Sequence, residues 1–366
     1  MHPPISSGSV RLQQGPGGAP PAPLPSLRAG ADPAAAVSSL DRLLAAVRMV
    51  LPLELLDAGH PASNLTPSGA PVEAAFVWAD GEAGCDPRIS LDPAPGAQPE
   101  SRLKAALSLC RAVSGTELAP DVLRLAARLS CWQQRAGCRY GAWAGLRQGE
   151  AGGLAAKLYL EVAPVADPRG LPLWAGFEER LAGAPPVLTG RNLRPTMVGL
   201  TPDGGLLELY YRTDPLFPGD LDTLMRRFGL VPQGQEVRRL VERLTGRSVR
   251  FEIPSSDIGF SVAFRMAGEG RLRRAHASAF TFYSNAAAVL GPDARIADAL
   301  LAEGAARSWD MTAYRQAFAA CDTRPGEGEA PLQRHGLIGM VLALEAPPRV
   351  TATLALPGYQ REPGHG

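Results

Sequence analysis

The stretch LAAKLYLEV, residues 154–162, decides the fold. Side chains of an extended strand alternate between faces, so Lys157 and Tyr159 share one face while Leu158 and Leu160 share the other. The leucines can bury against helices, which leaves the lysine and the tyrosine facing somewhere polar. Lys157 is one of only two lysines, the other being Lys104, in a chain that otherwise uses arginine. A compact ammonium kept mid-strand beside a tyrosine points to an anion. A strand with its polar face in bulk water is the alternative. The pattern returns at LELYYR, residues 207–212, where Glu208, Tyr210 and Arg212 share a face, and that recurrence favours a built site.

Outward from this stretch the chain reads as strand pairs separated by helices. Strands are expected at 72–79 and 88–92, 139–146 and 154–162, 196–200 and 206–212, 259–266 and 272–280, and 336–344 and 350–356. Turn-rich segments join each pair, such as Pro202, Asp203, Gly204 and Gly205. Helical spacing occupies 38–50, 100–113, 120–134, 173–181, 221–228, 236–244, 294–305 and 311–320, with Ser38 or Ser39 and Asp220 as caps and Gly229 and Gly246 as stops. The hairpins recur at roughly 55 to 75 residues, an internal repeat. Hairpins imply antiparallel pairing. Ten such strands, with helices between pairs, can close into a barrel that has no edges and an interior wide enough for a ligand. The expected class is therefore α+β: one ten-stranded antiparallel barrel from five αββα repeats, helices outside.

Composition supports a single globular unit of residues 37–357. The 366-residue chain is 45% hydrophobic and carries a formal charge of +1, so no field favours nucleic acid or an anionic membrane. No run approaches the roughly 18 apolar residues of a membrane span, and no secretory signal is evident. Cys85, Cys110, Cys131, Cys138 and Cys321 are odd in number and lack metal-site spacing, which fits free thiols in a reducing cytoplasm. Residues 1–36, rich in Pro, Gly, Ala and Ser, are expected to be disordered, and 358–366 a flexible tail. A monomer is expected.

The αββα repeat, with Lys157-x-Tyr159 on one strand and Tyr210 at the matching place in the next repeat, resembles the soluble aromatic prenyltransferases, whose ABBA fold is a ten-stranded antiparallel barrel ringed by helices. The resemblance covers about residues 37–357. Within that superfamily Val72, Glu73, Ala74 and Ala75 followed by Arg88 look most like the cyanobactin-type peptide prenyltransferases. The resemblance implies that Glu73 handles the acceptor's proton. It makes Arg88, Lys157, Arg274 and Arg349 diphosphate-binding cations, with Tyr159, Glu208, Tyr210, Ala263 and His276 in the lumen. His276 also reads as a hydrogen-bonded wall residue.

The chemistry requires such a set. Ionising an allylic diphosphate builds charge on the leaving group, which preorganised cations stabilise. The allylic cation needs aromatic faces, and the acceptor must lose a proton to a base. The implied activity is transfer of an isoprenoid from dimethylallyl or geranyl diphosphate to a side chain of a cyclic, ribosomally made peptide, with Mg2+ as a possible assistant. Alternatives are a small-molecule aromatic prenyltransferase, or a silent barrel that binds a peptide or prenyl ligand. The silent reading arises because relatives place tyrosines on the last two hairpins, where this chain has Ala263, Thr353 and Ala355. A small Ala263 implies room for a donor longer than dimethylallyl. Gly149–Gly153 lacks the setting of a nucleotide loop, Asp220 and Asp222 read as capping, and hydrolase motifs are absent from the sequence.

Overall fold

A computed structural model describes residues 40, 44–45, 63, 65–66, 69–82, 84–149, 153–162, 188–255, 257–265, 276–321, 333–344 and 346–356. The expectations for 1–36, 173–181, the tail and Arg274 lie outside these residues, as does most of the helix expected at 38–50, of which Leu40, Leu44 and Ala45 are helical.

Ten strands close into one antiparallel barrel. They are β1 (Val72–Ala79), β2 (Arg88–Leu91), β3 (Ala142–Gln148), β4 (Leu154–Glu161), β5 (Arg194–Leu200), β6 (Leu206–Thr213), β7 (Ile258–Arg265), β8 (His276–Asn285), β9 (His335–Ala343) and β10 (Arg349–Ala355). Each strand pairs with its neighbour in sequence, and β1 pairs with β10 to close the ring. The described helices are α1 (Pro99–Ser114), α2 (Pro120–Ala136), α3 (Pro218–Arg227), α4 (Gly234–Thr245), α5 (Ala286–Leu290), α6 (Asp293–Arg307) and α7 (Thr312–Ala320). Among the described residues no helix is long and apolar enough to cross a membrane.

Alternation sorts the strand residues into two faces. Phe76, Trp78, Ile89, Leu146, Leu158, Leu160, Leu209, Phe260, Phe280 and Ile338 join one outer core beneath the helices. Phe76 and Trp78 meet Tyr314 of α7 edge-on, and Trp78 stacks on Trp309 at 5.8 Å. Tyr211, Phe260 and Phe280 stack in sequence across β6, β7 and β8. Burying each such ring contributes roughly 1.5–3 kcal/mol, which is how the helices stay on the barrel. The opposite faces line the lumen, and most of their side chains keep more exposure than the outer ones: β4 alternates between buried and half-buried positions from Ala156 on, as β6 does from Leu209 on, with Glu208 buried.

Several boundaries differ from the sequence reading. The fourth hairpin runs on to Asn285, beyond the expected end at 280, because Thr281, Phe282, Tyr283 and Ser284 go on pairing with both β7 and β9 after a register shift opposite 277–279. The second hairpin begins at Ala142 rather than 139, since the preceding backbone is used elsewhere: Glu161 accepts from the amides of Tyr140 and Gly141. Helix α3 starts at Pro218, and Asp220 caps from its third position by accepting from the Phe217 amide at 3.0 Å. Asp222 accepts from the Gly234 amide at the start of α4. The short α5 was not expected from the sequence; Asn285 caps it by accepting from the Ala288 amide.

Candidate active site

The site begins on β4. Since Leu158 and Leu160 belong to the outer core, Lys157 and Tyr159 face the lumen. The Lys157 ammonium lies 5.1 Å from the ring centre of Tyr159 and 5.5 Å from that of Tyr210, and donates to the Tyr210 hydroxyl at 3.2 Å. Its main partner is Glu208 of β6, in direct ion-pair contact. The other Glu208 oxygen accepts from Ser261 of β7. Burial alone would push the Glu208 carboxyl up, but Lys157 and the Ser261 and Tyr210 donors outweigh it and hold the group below the usual range. Burial likewise works against the Lys157 charge, and Glu208 more than offsets it, so the ammonium titrates above its ordinary value.

Two arginines flank this pair toward the hairpin end. Arg88 faces the lumen because Ile89 and Leu91 point into the outer core. It pairs with Asp86 at 3.0 Å, stays about one-third exposed, and lies near enough to Glu208 for that carboxylate's charge to act on it. Opposite Arg88 in register stands Arg147 of β3, on the inward face set by the outward Ala144 and Leu146. Arg147 is exposed and was not singled out from the sequence. Its signal was the WAGLRQ alternation, which places Trp143, Gly145 and Arg147 on one face.

Aromatic faces continue around the wall. The Tyr159 and Tyr210 rings meet edge-on at 6.0 Å, and Tyr210 meets Tyr283 of β8 at 6.3 Å. Tyr283 was missed because the strand was ended at Phe280. It donates to the Tyr211 carbonyl at 2.9 Å, and the Arg212 guanidinium lies 5.3 Å from its ring centre. The fourth hairpin therefore carries a lumen tyrosine, although Ala263, Thr353 and Ala355 leave other positions small.

Glu73 lies toward the helix-connected end of the lumen. Ala74, Phe76 and Trp78 are outward, so Glu73, between Val72 and Ala74, points in. Its carboxyl accepts from the Thr353 hydroxyl at 2.6 Å, and that hydroxyl accepts from the Leu337 amide. Burial pushes the Glu73 carboxyl up to about 7 despite the Thr353 hydrogen bond. A carboxyl poised there can both accept and release a proton near neutral pH.

Close-approach glycines make room for these side chains. A Cβ on Gly199 of β5 would stand 2.6 Å from Lys157 Cε, and one on Gly336 would stand 2.1 Å from Glu73 Oε1. Gly145 under the Tyr159 ring and Gly259 under the Tyr283 ring repeat the device.

Arg349 is not brought to the Lys157 group. It ion-pairs at 3.1 Å with Glu82 from the β1–β2 turn and sits opposite Ala79, so the expected fifth-hairpin diphosphate cation is a rim residue with its own counter-charge. Ala263 lies on the lumen face opposite Glu208 in register, and His276 opens β8 opposite Arg265. Among the described residues no group of three or more His, Cys, Asp or Glu is arranged to hold a metal ion. The described side chains thus do not form a protein cage for Mg2+.

These features define a class: a closed ten-stranded antiparallel barrel, helices outside, with a lumen of cations, tyrosines and a carboxyl. Among solved structures, 5-dimethylallyl tryptophan synthase from Streptomyces coelicolor in complex with DMASPP and Trp is 20% identical, covering 90% of this chain and 92% of its own, with a TM-score of 0.67. The prenyltransferase PriB in its apo form is 16% identical over 90% and 94%, with a TM-score of 0.68. The 6-dimethylallyltryptophan synthase from Micromonospora olivasterospora in complex with DMASPP and Trp is 21% identical over 91% and 94%, with a TM-score of 0.61. No family model matches the chain, and no curated protein matches it. At these identities the likeness is one of fold, and the fold is the ABBA or PT barrel.

Proposed function

We propose that this chain is a prenyltransferase that moves an isoprenoid from an allylic diphosphate to an aromatic ring. The observation that carries the reading is the grouping of Arg88, Arg147 and Lys157 on the lumen faces of adjacent strands, with Tyr159 and Tyr210 against the Lys157 ammonium. In this reading the three cations hold the diphosphate. The bond between its bridging oxygen and the allylic carbon breaks, and the electron pair leaves with the diphosphate, which they stabilise. Tyr159, Tyr210 and Tyr283 present ring faces to the allylic cation. The acceptor ring forms the new bond, and the proton it loses goes to ionised Glu73.

The fold neighbours bound to DMASPP and Trp make dimethylallyl diphosphate and tryptophan the first substrates to test. Geranyl diphosphate is the second donor, because Ala263 and Ala279 face each other in register on a wall of small residues. An aromatic side chain in a cyclic peptide is the second acceptor, and that proposal rests on the resemblance of the Glu73 strand and Arg88. A silent, ligand-binding barrel is the competing reading, and the observation favouring it is the occupation of Lys157 by Glu208.

Lys157→Ala tests the site. We expect donor-dependent diphosphate release to fall by about 10²-fold or more, the scale of losing one preorganised charge contact in a dry site. An unchanged rate at saturating donor and acceptor, in a variant that melts like wild type, contradicts the assignment.

A further inference from the structure

We propose that Glu208 is a built-in occupant of the diphosphate site, an internal counter-ion that an arriving diphosphate must displace from Lys157. The inference rests on the prenyltransferase reading and adds to it a residue that sets donor affinity.

The geometry carries it. The Lys157 ammonium has three donors. Glu208 takes one and the Tyr210 hydroxyl another, which leaves a single donor toward the lumen. Glu208 is itself fixed, with Ser261 on its second oxygen and Tyr210 beside the pair. The groups around Glu208 are Lys157 and Tyr159 from β4, Tyr210 from its own strand, Ser261 from β7, Tyr283 from β8, and Arg88 from β2. Two of them are cations, and Arg88 already holds Asp86. A diphosphate seated on Lys157 would place two or more negative charges beside the Glu208 carboxylate, where burial strengthens repulsion between like charges. Binding therefore requires that the carboxylate leave Lys157. Gly199 lets the Lys157 stem lie directly over β5, so the ammonium's change of partner asks for rotation of a flexible side chain and not of backbone. The pair also explains how a half-buried lysine persists without substrate, since a charge this far from bulk water is costly when uncompensated.

The test is calorimetric titration of the full chain with inorganic diphosphate, comparing wild type with Glu208→Gln. Glutamine keeps the shape and can still accept from Ser261, but offers no charge to Lys157. We expect the variant to bind about tenfold tighter or more, and diphosphate to raise its melting temperature further than that of wild type. Equal or weaker binding by Glu208→Gln, with wild type binding normally, overturns the exchange and leaves the donor reading standing. Failure of both proteins to bind overturns the donor reading, and the exchange with it. Should the variant not fold, a wild-type crystal soaked in inorganic diphosphate decides: the ammonium on a diphosphate oxygen and Glu208 withdrawn supports exchange, and an intact Lys157–Glu208 pair beside bound diphosphate overturns it.

Discussion

Glu73 holds its proton more tightly in the folded protein than in the unfolded chain, because burial penalises the carboxylate. Its contribution to stability is therefore full below the ordinary carboxyl value of 4.5 and is lost as pH rises through about 7. That displacement is worth about 3 kcal/mol above neutrality. Glu73→Gln should be more stable than wild type by up to about 3 kcal/mol at pH 8, with no advantage at pH 4, as read by urea denaturation at both values. The same variant should lose about 10²- to 10⁴-fold in turnover, the usual scale for a general base. In wild type the rate should climb with pH through about 7, and the glutamine variant should lack that limb. A variant that keeps the limb would mean the proton leaves by another route.

At this scale the sequence was informative wherever parity alone decides. Glu73, Arg88, Lys157 and Tyr210 alternate with leucines, alanines and isoleucines, so their lumen face was legible. Partners were not. Glu208 meets Lys157 across 51 residues and an intervening strand, reaching over Gly199, and alternation within one strand says nothing about that contact. Arg349 had the correct parity too, but its counter-charge Glu82 comes from a turn whose path no periodicity specifies.

Between elements, the lumen is shaped by which strand gives up its side chain. Gly199→Ala places a methyl group against the Lys157 stem and the Tyr210 ring. Because the clash falls on a flexible side chain rather than on backbone, stability should change by less than about 1 kcal/mol. Diphosphate affinity should fall about tenfold or more as the ammonium, still paired with Glu208, is moved away from the face it shares with Arg88 and Arg147. Titration of the alanine variant checks it, and unaltered affinity would show that the ammonium position does not matter. At the other end Gly336 sits under both Glu73 Oε1 and Thr353 Oγ1, so Gly336→Ala should break the Thr353 hydrogen bond and move the pH limb. The start of β9 is fixed from outside, where His335 binds Asp293 of α6 at 2.6 Å and Tyr314 of α7 at 2.8 Å. The strand pairs and most helices were readable from alternation and caps. The end of β8 was not, because a register shift breaks period two before Thr281, Phe282 and Tyr283 resume it.

For the molecule as a whole, closure follows from the repeat. Five hairpins that each bury one face under helices leave five polar faces, and joining β1 to β10 turns those faces inward and removes both edges. The outer core anchors the helices, while the lumen keeps its cations partly exposed, buries Glu73 and Glu208, and has small walls at Gly199, Gly259, Ala263 and Ala279. A barrel built only for stability would fill that interior with apolar side chains. The central claim, that this interior ionises an allylic diphosphate for an aromatic acceptor, is tested most directly by following diphosphate release from dimethylallyl diphosphate with tryptophan, and then with geranyl diphosphate and a cyclic aromatic peptide. Acceptor-dependent release with a product heavier by one isoprenoid is expected, slowed about 10²-fold or more in Lys157→Ala. No release above buffer with any of these donor and acceptor pairs, from folded wild-type protein, would contradict it.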